Sequence, residues 1–235
     1  MSANAEVLRT SELIGSAPQE TAVPPIEVFC EANGWNPEDF AREQIRGLVQ
    51  RVFFGSGVRP AKQVVFSAAG PSPDVANICY QVGRALALET RSDIAIVGRE
   101  RRAREMVQAH PRYGDSAVKS WSTQTAINLW RVPEFGLREC GEESGTGRYW
   151  LSCLAKLRNE FEYAVIHGPE AGISSEAALL GQLADGIILV LDAHGTRKAT
   201  ARKIKETLEA AKCRILGTVL SERTFPVPER IYRRL

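Results

Sequence analysis

The 235-residue sequence contains no run of about 18 apolar residues, so no segment reads as a membrane-spanning helix. Cysteine is sparse and never paired. The five (Cys30, Cys79, Cys140, Cys153 and Cys213) are scattered, odd in number and without a CxxC spacing. That argues against a disulfide framework or a zinc site, and for reduced thiols in a cytosolic setting. The opening stretch MSANAEVLRTSELIG has no basic region followed by an apolar one, and so does not read as a signal peptide. An excess of one charge is also missing. Thirty Lys and Arg against 28 Asp and Glu leave +2, too little to build a field that gathers nucleic acid. A cytoplasmic protein is expected, peripheral at an inner membrane only through a partner.

What is present is enough apolar material, 44% of the chain, for one full core. Residues 1–37, rich in Ser, Ala, Pro, Glu and Asn, read as a flexible arm with a short segment at 26–32 able to pack. Residues 38–235 read as the domain. Its first helix starts at Pro37-Glu38-Asp39 with Asn36 as N-cap, carries an apolar stripe from Phe40 to Phe53, and ends at Gly55-Ser56-Gly57.

The chain is organised around Gln63–Leu86, QVVFSAAGPSPDVANICYQVGRAL. An apolar, β-branched run enters a small-residue turn holding Gly70. A helical pattern follows, with Val75, Ile78, Cys79, Val82 and Leu86 three or four apart. Strand, small-residue loop and helix form the layout in which backbone amides hold a phosphate. A working loop of this kind reads GxxxxGK[ST], with a lysine on the phosphates and a hydroxyl on Mg²⁺. Pro73, Asp74 and Val75 stand in those places. An aspartate repels a triphosphate, and valine cannot ligate a metal.

Further strands are expected at 93–97, 163–166, 186–191 and 215–220, and further helices at 149–160, 174–183 and 196–211. The helix at 149–160 is expected to bury Trp150, Leu151, Leu154 and Leu157. Arg99, Arg101, Arg102 and Arg104 form a basic segment after the second strand. Residues 110–150 carry no clear periodicity, and GEESGTG (141–147) reads as a surface loop. Short apolar strands alternating with helices predict an α/β fold: doubly wound, with a mainly parallel sheet and helices on both faces.

The second half carries a specific resemblance. Residues 161–169, FEYAVIHGP, resemble the FDYVIIDxPP strand of MinD-like P-loop ATPases, and among these the cytoplasmic kinase domains of bacterial tyrosine kinases in capsule and exopolysaccharide biosynthesis. Residues 179–224 are similar to that family's LADGVILVVRAGxT…LGVVLNRR segment, and the ending FPVPERIYRRL to a common ending in it. Glu43 and Arg46 match the front of an ExxRxxR helix that packs subunits into a ring in the family, with Val49 at the last arginine. The resemblance implies the P-loop NTPase-like fold over about residues 40–235.

It also identifies a nucleotide site altered at each motif. The family's aspartate-containing DADLR segment corresponds to Gly98-Arg99-Glu100-Arg101-Arg102, where only Glu100 keeps an acid. The third strand's aspartate is His167, which does not replace an anionic oxygen ligand for Mg²⁺. The base-reading asparagine is Ser221, and the tail has one tyrosine, Tyr232, in place of a cluster. Asp74, Glu100 and His167 match no standard metal-ligand spacing. The expectation is a pseudo-kinase or pseudo-ATPase with no catalytic residues and no cofactor, acting as a regulatory or scaffolding subunit of exopolysaccharide or capsule machinery. The partners implied are an active kinase paralogue, the cytoplasmic tail of an inner-membrane co-polymerase, or further copies of the chain through Glu43 and Arg46. The alternative is an active tyrosine autokinase or ATPase, using ATP and Mg²⁺ in a rearranged site with Glu100 and a cation such as Arg99 or Lys198.

Overall fold

A computed structural model describes residues 37–55, 60–71, 73–98, 117–134 and 146–221. Residues 1–36 of the expected 1–37 arm, with the cap Asn36, the basic segment 99–104 and the tail from 222 lie outside the described residues. The elements are α1 (Pro37–Phe53), β1 (Gln63–Ala68), α2 (Val75–Glu89), β2 (Ile94–Gly98), α3 (Val118–Trp121), β3 (Thr123–Ala126) and β4 (Leu129–Pro133), followed by α4 (Thr146–Glu160), β5 (Tyr163–His167), α5 (Ser175–Leu183), β6 (Gly186–Asp192), α6 (Lys198–Ala210) and β7 (Ile215–Ser221).

The strands form one sheet in the order β3-β4-β2-β5-β1-β6-β7. Every adjacent pair is parallel except the β3–β4 hairpin. Successive side chains of a strand point to opposite faces, so each strand feeds two cores. Val65, Ala164 and Ile166 join one core with Trp150, Leu154 and Leu157 of α4, Leu180 of α5, and Ile204 and Leu208 of α6. Val64, Phe66 and Val165 join the other with Val49 and Phe53 of α1 and Val75, Cys79, Val82 and Leu86 of α2. This is the doubly wound α/β arrangement that the alternating apolar runs predict.

Two departures have local causes. The 110–150 region contains α3 and the β3–β4 hairpin, which the sequence pattern did not signal, because β3 is only TQTA and exposed at every position. Its turn uses Asn128 at φ 59°, a left-handed conformation that asparagine tolerates. Helix α4 begins at Thr146, taking Thr146 and Gly147 out of the expected loop. Its buried stripe is Trp150, Cys153, Leu154 and Leu157, while Leu151 is 53% exposed. Leu151 follows Trp150 directly and so points about 100° away from it around the helix.

The hairpin is fixed to the sheet by a charged corner. Both carboxylate oxygens of Glu160 accept backbone N–H groups of α3, from Val118 at 2.5 Å and Lys119 at 2.9 Å. The Lys119 ammonium donates to Asp93 at 2.6 Å and lies 5.8 Å from the centre of the Trp130 ring and 5.3 Å from that of Phe161. That hydrogen bond is the main reason the Asp93 carboxyl titrates below its ordinary value near 3.8; burial opposes it and a second hydrogen bond from Trp130 adds to it. A depressed carboxylate contributes stability above the unfolded pKa and loses it as pH falls through the folded one. Lys119→Met keeps the aliphatic stem over the rings and removes the charge. It is expected to lower the denaturation midpoint at pH 6, with the deficit shrinking below about pH 4 as Asp93 protonates in the unfolded chain and then the folded one. A deficit that stays constant down to pH 2 would show the pair contributes nothing.

Candidate functional site

The parallel strands all end at one edge of the sheet, where open α/β folds place ligands. The loop after β1 is held there from both sides. Ala69 N–H donates to Val190 O of β6 at 2.9 Å, and Ala68 O accepts Ala171 N–H at 2.9 Å. Ser67, fully buried, donates its hydroxyl to Pro169 O at 2.5 Å, and Gly168 N–H donates to Phe66 O at 2.9 Å. Gly168 is required by this approach, since a Cβ would lie 2.6 Å from Val65 Cγ1. Gly70 has no such need: it shows neither a left-handed φ nor a neighbour within 4 Å of an added Cβ.

Helix α2 then begins on an acidic cap of its own. Asp74 is its N-cap, and the carboxylate accepts the Asn77 N–H at 3.0 Å. Pro73 O accepts Val75 N–H at 2.8 Å, and Val75 itself is 3% exposed within the core. In a phosphate-binding loop the first helical amides and the positive end of the helix dipole face the ligand. Here an amide of the first turn and the dipole are both engaged by the chain's own carboxylate. Such a cap is worth about 1 kcal/mol to the helix.

Gly98 and His167, ending the neighbouring strands β2 and β5, are brought together. They line one cavity of about 150 Å³ with Ala76, Cys79 and Tyr80 of α2, Ile96 and Val97 of β2, and Arg131 of β4. Tyr80 and Arg131 were not singled out from sequence. Arg131 had a legible signal as a lone cation inside the apolar run LWRVP. Cys79 is wholly buried, and burial, with Asp74 nearby, pushes its thiol far above the normal range, so it is a packing residue.

Ser221 is not part of this group. It ends β7, three strand spacings from His167, and its hydroxyl donates to Leu191 O at 3.2 Å while its carbonyl accepts Ala193 N–H at 3.0 Å. The adjacent 192–196 turn is closed on itself, with Asp192 accepting His194 N–H at 2.8 Å and Thr196 Oγ1 accepting Asp192 N–H at 2.9 Å. Glu100 and the arginines from 99 to 104 lie outside the described residues. Lys198 opens α6 and is exposed.

Away from this edge, Glu43 and Arg46 are exposed on α1 and pair at 3.5 Å. Arg46 also reaches Glu89 of α2 at 3.3 Å, and Gln50 donates to the same carboxylate at 3.1 Å. Val49 is fully buried, so that position faces the core and offers nothing to a neighbour.

A mostly parallel seven-stranded sheet with a loop-to-helix turn after the interior strand β1 defines the P-loop NTPase-like fold of MinD and bacterial tyrosine kinase domains. The structure aligns with the kinase domain of the Escherichia coli tyrosine kinase ETK over 80% of this chain and 79% of that one, with a TM-score of 0.58 and 11% identity. It aligns with the MinD cell division protein of Aquifex aeolicus over 73% and 74%, with a TM-score of 0.54 and 12% identity. In sequence, 74 residues are 30% identical to tyrosine-protein kinase CpsD of Streptococcus agalactiae serotype III (strain NEM316). That stretch is 32% of this chain and 32% of CpsD, so the match spans about a third of the relative's length. No protein-family model matches the chain. These likenesses establish the fold.

Proposed function

We propose that the chain is a non-catalytic relative of the bacterial tyrosine kinase domains, acting by binding other proteins of an exopolysaccharide or capsule assembly system. The observation that carries this reading is the start of α2. Asp74 caps the helix where a phosphate would sit, and Val75 is spent on the core where a metal-binding hydroxyl would stand. Phosphoryl transfer rests almost wholly on positioning and on cations that stabilise the phosphates. A carboxylate at that point works against both. His167 in place of a carboxylate, and Ser221 turned to Leu191, support the same reading: among the described residues of this edge neither supplies an anionic ligand for Mg²⁺ or an amide for a base. The seven-stranded sheet and its helices are retained around it, which suits a protein kept for its surfaces. The partners of this reading are an active kinase paralogue or the cytoplasmic tail of an inner-membrane co-polymerase, with self-association through the Glu43–Arg46 face of α1.

The second reading, an ATPase or autokinase with a rearranged site, has one observation in its favour: the cavity that gathers His167 and Arg131 beside Gly98. Calorimetry and thermal melting with ATP or ADP, with and without Mg²⁺, separate the two. The expected result is no heat and no change in melting at millimolar nucleotide. A micromolar Kd would add about 4 kcal/mol of stability at millimolar ligand. Such a Mg²⁺-dependent gain, lost in Arg131→Ala, would overturn the first reading.

A further inference from the structure

The sheet's two outer strands are finished differently. Strand β3, on one side, is four residues long and exposed throughout, which suits a strand that must not attract another. Strand β7, on the other, is ILGTVLS, seven residues without a charge or a proline. Natural sheets blunt a free outer strand by keeping it short, or with lysine, proline or a bulge. The register shift between β6 and β7 falls at Ile187 and Ile188, so residues 217–221 pair regularly.

The pairing also fixes where the backbone groups point. Ser221 O accepts the Ala193 N–H at 3.0 Å, on the β6 side. Successive residues of a strand turn their N–H and C=O groups to opposite sides, so Thr218 and Leu220 turn theirs away from β6. No described strand lies there to receive them. The side chains of the same two residues are exposed, Leu220 at 52%. They stand in register with Leu189 and Leu191, whose side chains belong to the core that α6 covers. Helix α6 therefore packs over β7 and still leaves Leu220 uncovered. On the opposite face, a Cβ added at Gly217 would meet nothing within 4 Å.

The flanking helix sets the charge of what fits beside it. Exposed along α6 and its cap are Arg197, Lys198, Arg202, Lys203 and Lys205, against Glu206 and Glu209. Arg202 pairs with Glu206 at 3.0 Å and Lys205 with Glu209 at 3.4 Å, which accounts for both acids. Both are exposed pairs within one helix, of the kind that contributes little and exchanges partners readily. The surplus is basic. It opposes a second copy of the chain, because antiparallel pairing of two β7 strands about a two-fold axis sets both α6 helices side by side on one face.

We propose that β7 is a docking strand for an extended, acidic segment of a partner protein. The segment adds alongside residues 217–221, bonded to the outward N–H and C=O groups of Thr218 and Leu220, with its carboxylates over the basic surface of α6. Strand addition of this kind draws affinity from main-chain hydrogen bonds and specificity from alternate side chains. The assignment holds whether or not the strand ends near His167 take nucleotide, and it uses a surface separate from the Glu43–Arg46 face of α1.

The test selects peptides from a random display library on the immobilised full chain. The synthetic winners are then titrated by fluorescence anisotropy against the unaltered chain, Thr218→Pro, Lys198→Glu/Lys205→Glu and Glu43→Ala/Arg46→Ala. Proline at 218 removes an N–H that the β6–β7 ladder does not use, a place where an outer strand tolerates it. A melting curve for each variant confirms that it is folded; should Thr218→Pro fail, the charge reversal and slowed hydrogen exchange at the Thr218 and Leu220 amides carry the test. The expected winners are rich in Asp and Glu, and bind about tenfold or more weakly to the first two variants and equally to the α1 variant. Neutral or basic winners, equal binding by Thr218→Pro, or loss of binding in the α1 variant would each overturn the assignment. So would a dimer in sedimentation that Thr218→Pro dissociates, in favour of a second copy. The absence of any binder would overturn it in favour of a strand already covered by the chain's own residues beyond Ser221.

Discussion

Trp150→Ala is expected to cost about 3–5 kcal/mol of unfolding free energy, measured by urea denaturation followed by far-ultraviolet circular dichroism. The indole is 1% exposed in the core between α4, α5 and the sheet, and sits edge-on to Tyr149 with ring centres 5.0 Å apart. Its Nε1–H donates to Glu176 Oε1 at 2.8 Å. Alanine leaves a large cavity and also removes the donor from a half-buried carboxylate. A domain of this size is typically stable by about 5–15 kcal/mol, so the variant would lose much of its margin. Trp150→Phe separates the two contributions, because it fills most of the space without the N–H. About 1–2 kcal/mol is expected for it. Equal losses in the two variants would mean that the hydrogen bond carries nearly all of the effect.

The second large effect lies where the candidate edge is built. In Gly168→Ala the new methyl group meets Val65 Cγ1 at 2.6 Å and Phe66 O at 3.5 Å. Val65 is fully buried in the central strand, so neither β1 nor the 168–174 loop can yield without disturbing the bonds that anchor the loop. The expected loss is about 2 kcal/mol, within the 1–3 kcal/mol usual for overpacking. Val65→Ala removes the clashing atoms and leaves a void of its own. The double variant is therefore expected to be at least about 1 kcal/mol more stable than the sum of the single losses predicts. Strict additivity would place the strain elsewhere.

The sheet and its paired helices were legible because buried parallel strands leave a strong mark. DIAIV, YAVI and GIILVL are apolar runs too short for helices, and each is followed or preceded by a clean helical stripe. The hairpin was illegible for the opposite reason, since TQTA covers an edge, buries nothing and depends on contacts made by Glu160 and Asp93 far along the chain. At the candidate edge, sequence could show that the lysine and the hydroxyl were missing. It could not show that Asp74 turns back to cap α2, nor that Val75 serves the core. Arg131 and Tyr80 line a cavity with His167 only because β4 and α2 lie beside the same strand ends.

The strand order also bears on how the chain comes off the ribosome. Interior strand β1 pairs with β5 about a hundred residues downstream, at Gln63 with Ala164, and with β6 further still, at Val64 with Gly186. Until β5 has been synthesised, Val64, Val65 and Phe66 form an apolar strand lacking both of its final neighbours, and until β6 follows it still lacks one. Contacts this distant in sequence slow folding and prolong exposure to aggregation. A nascent chain stopped before β6 therefore has no finished sheet to fold into, and its quality control falls to whatever binds unpaired strands during translation.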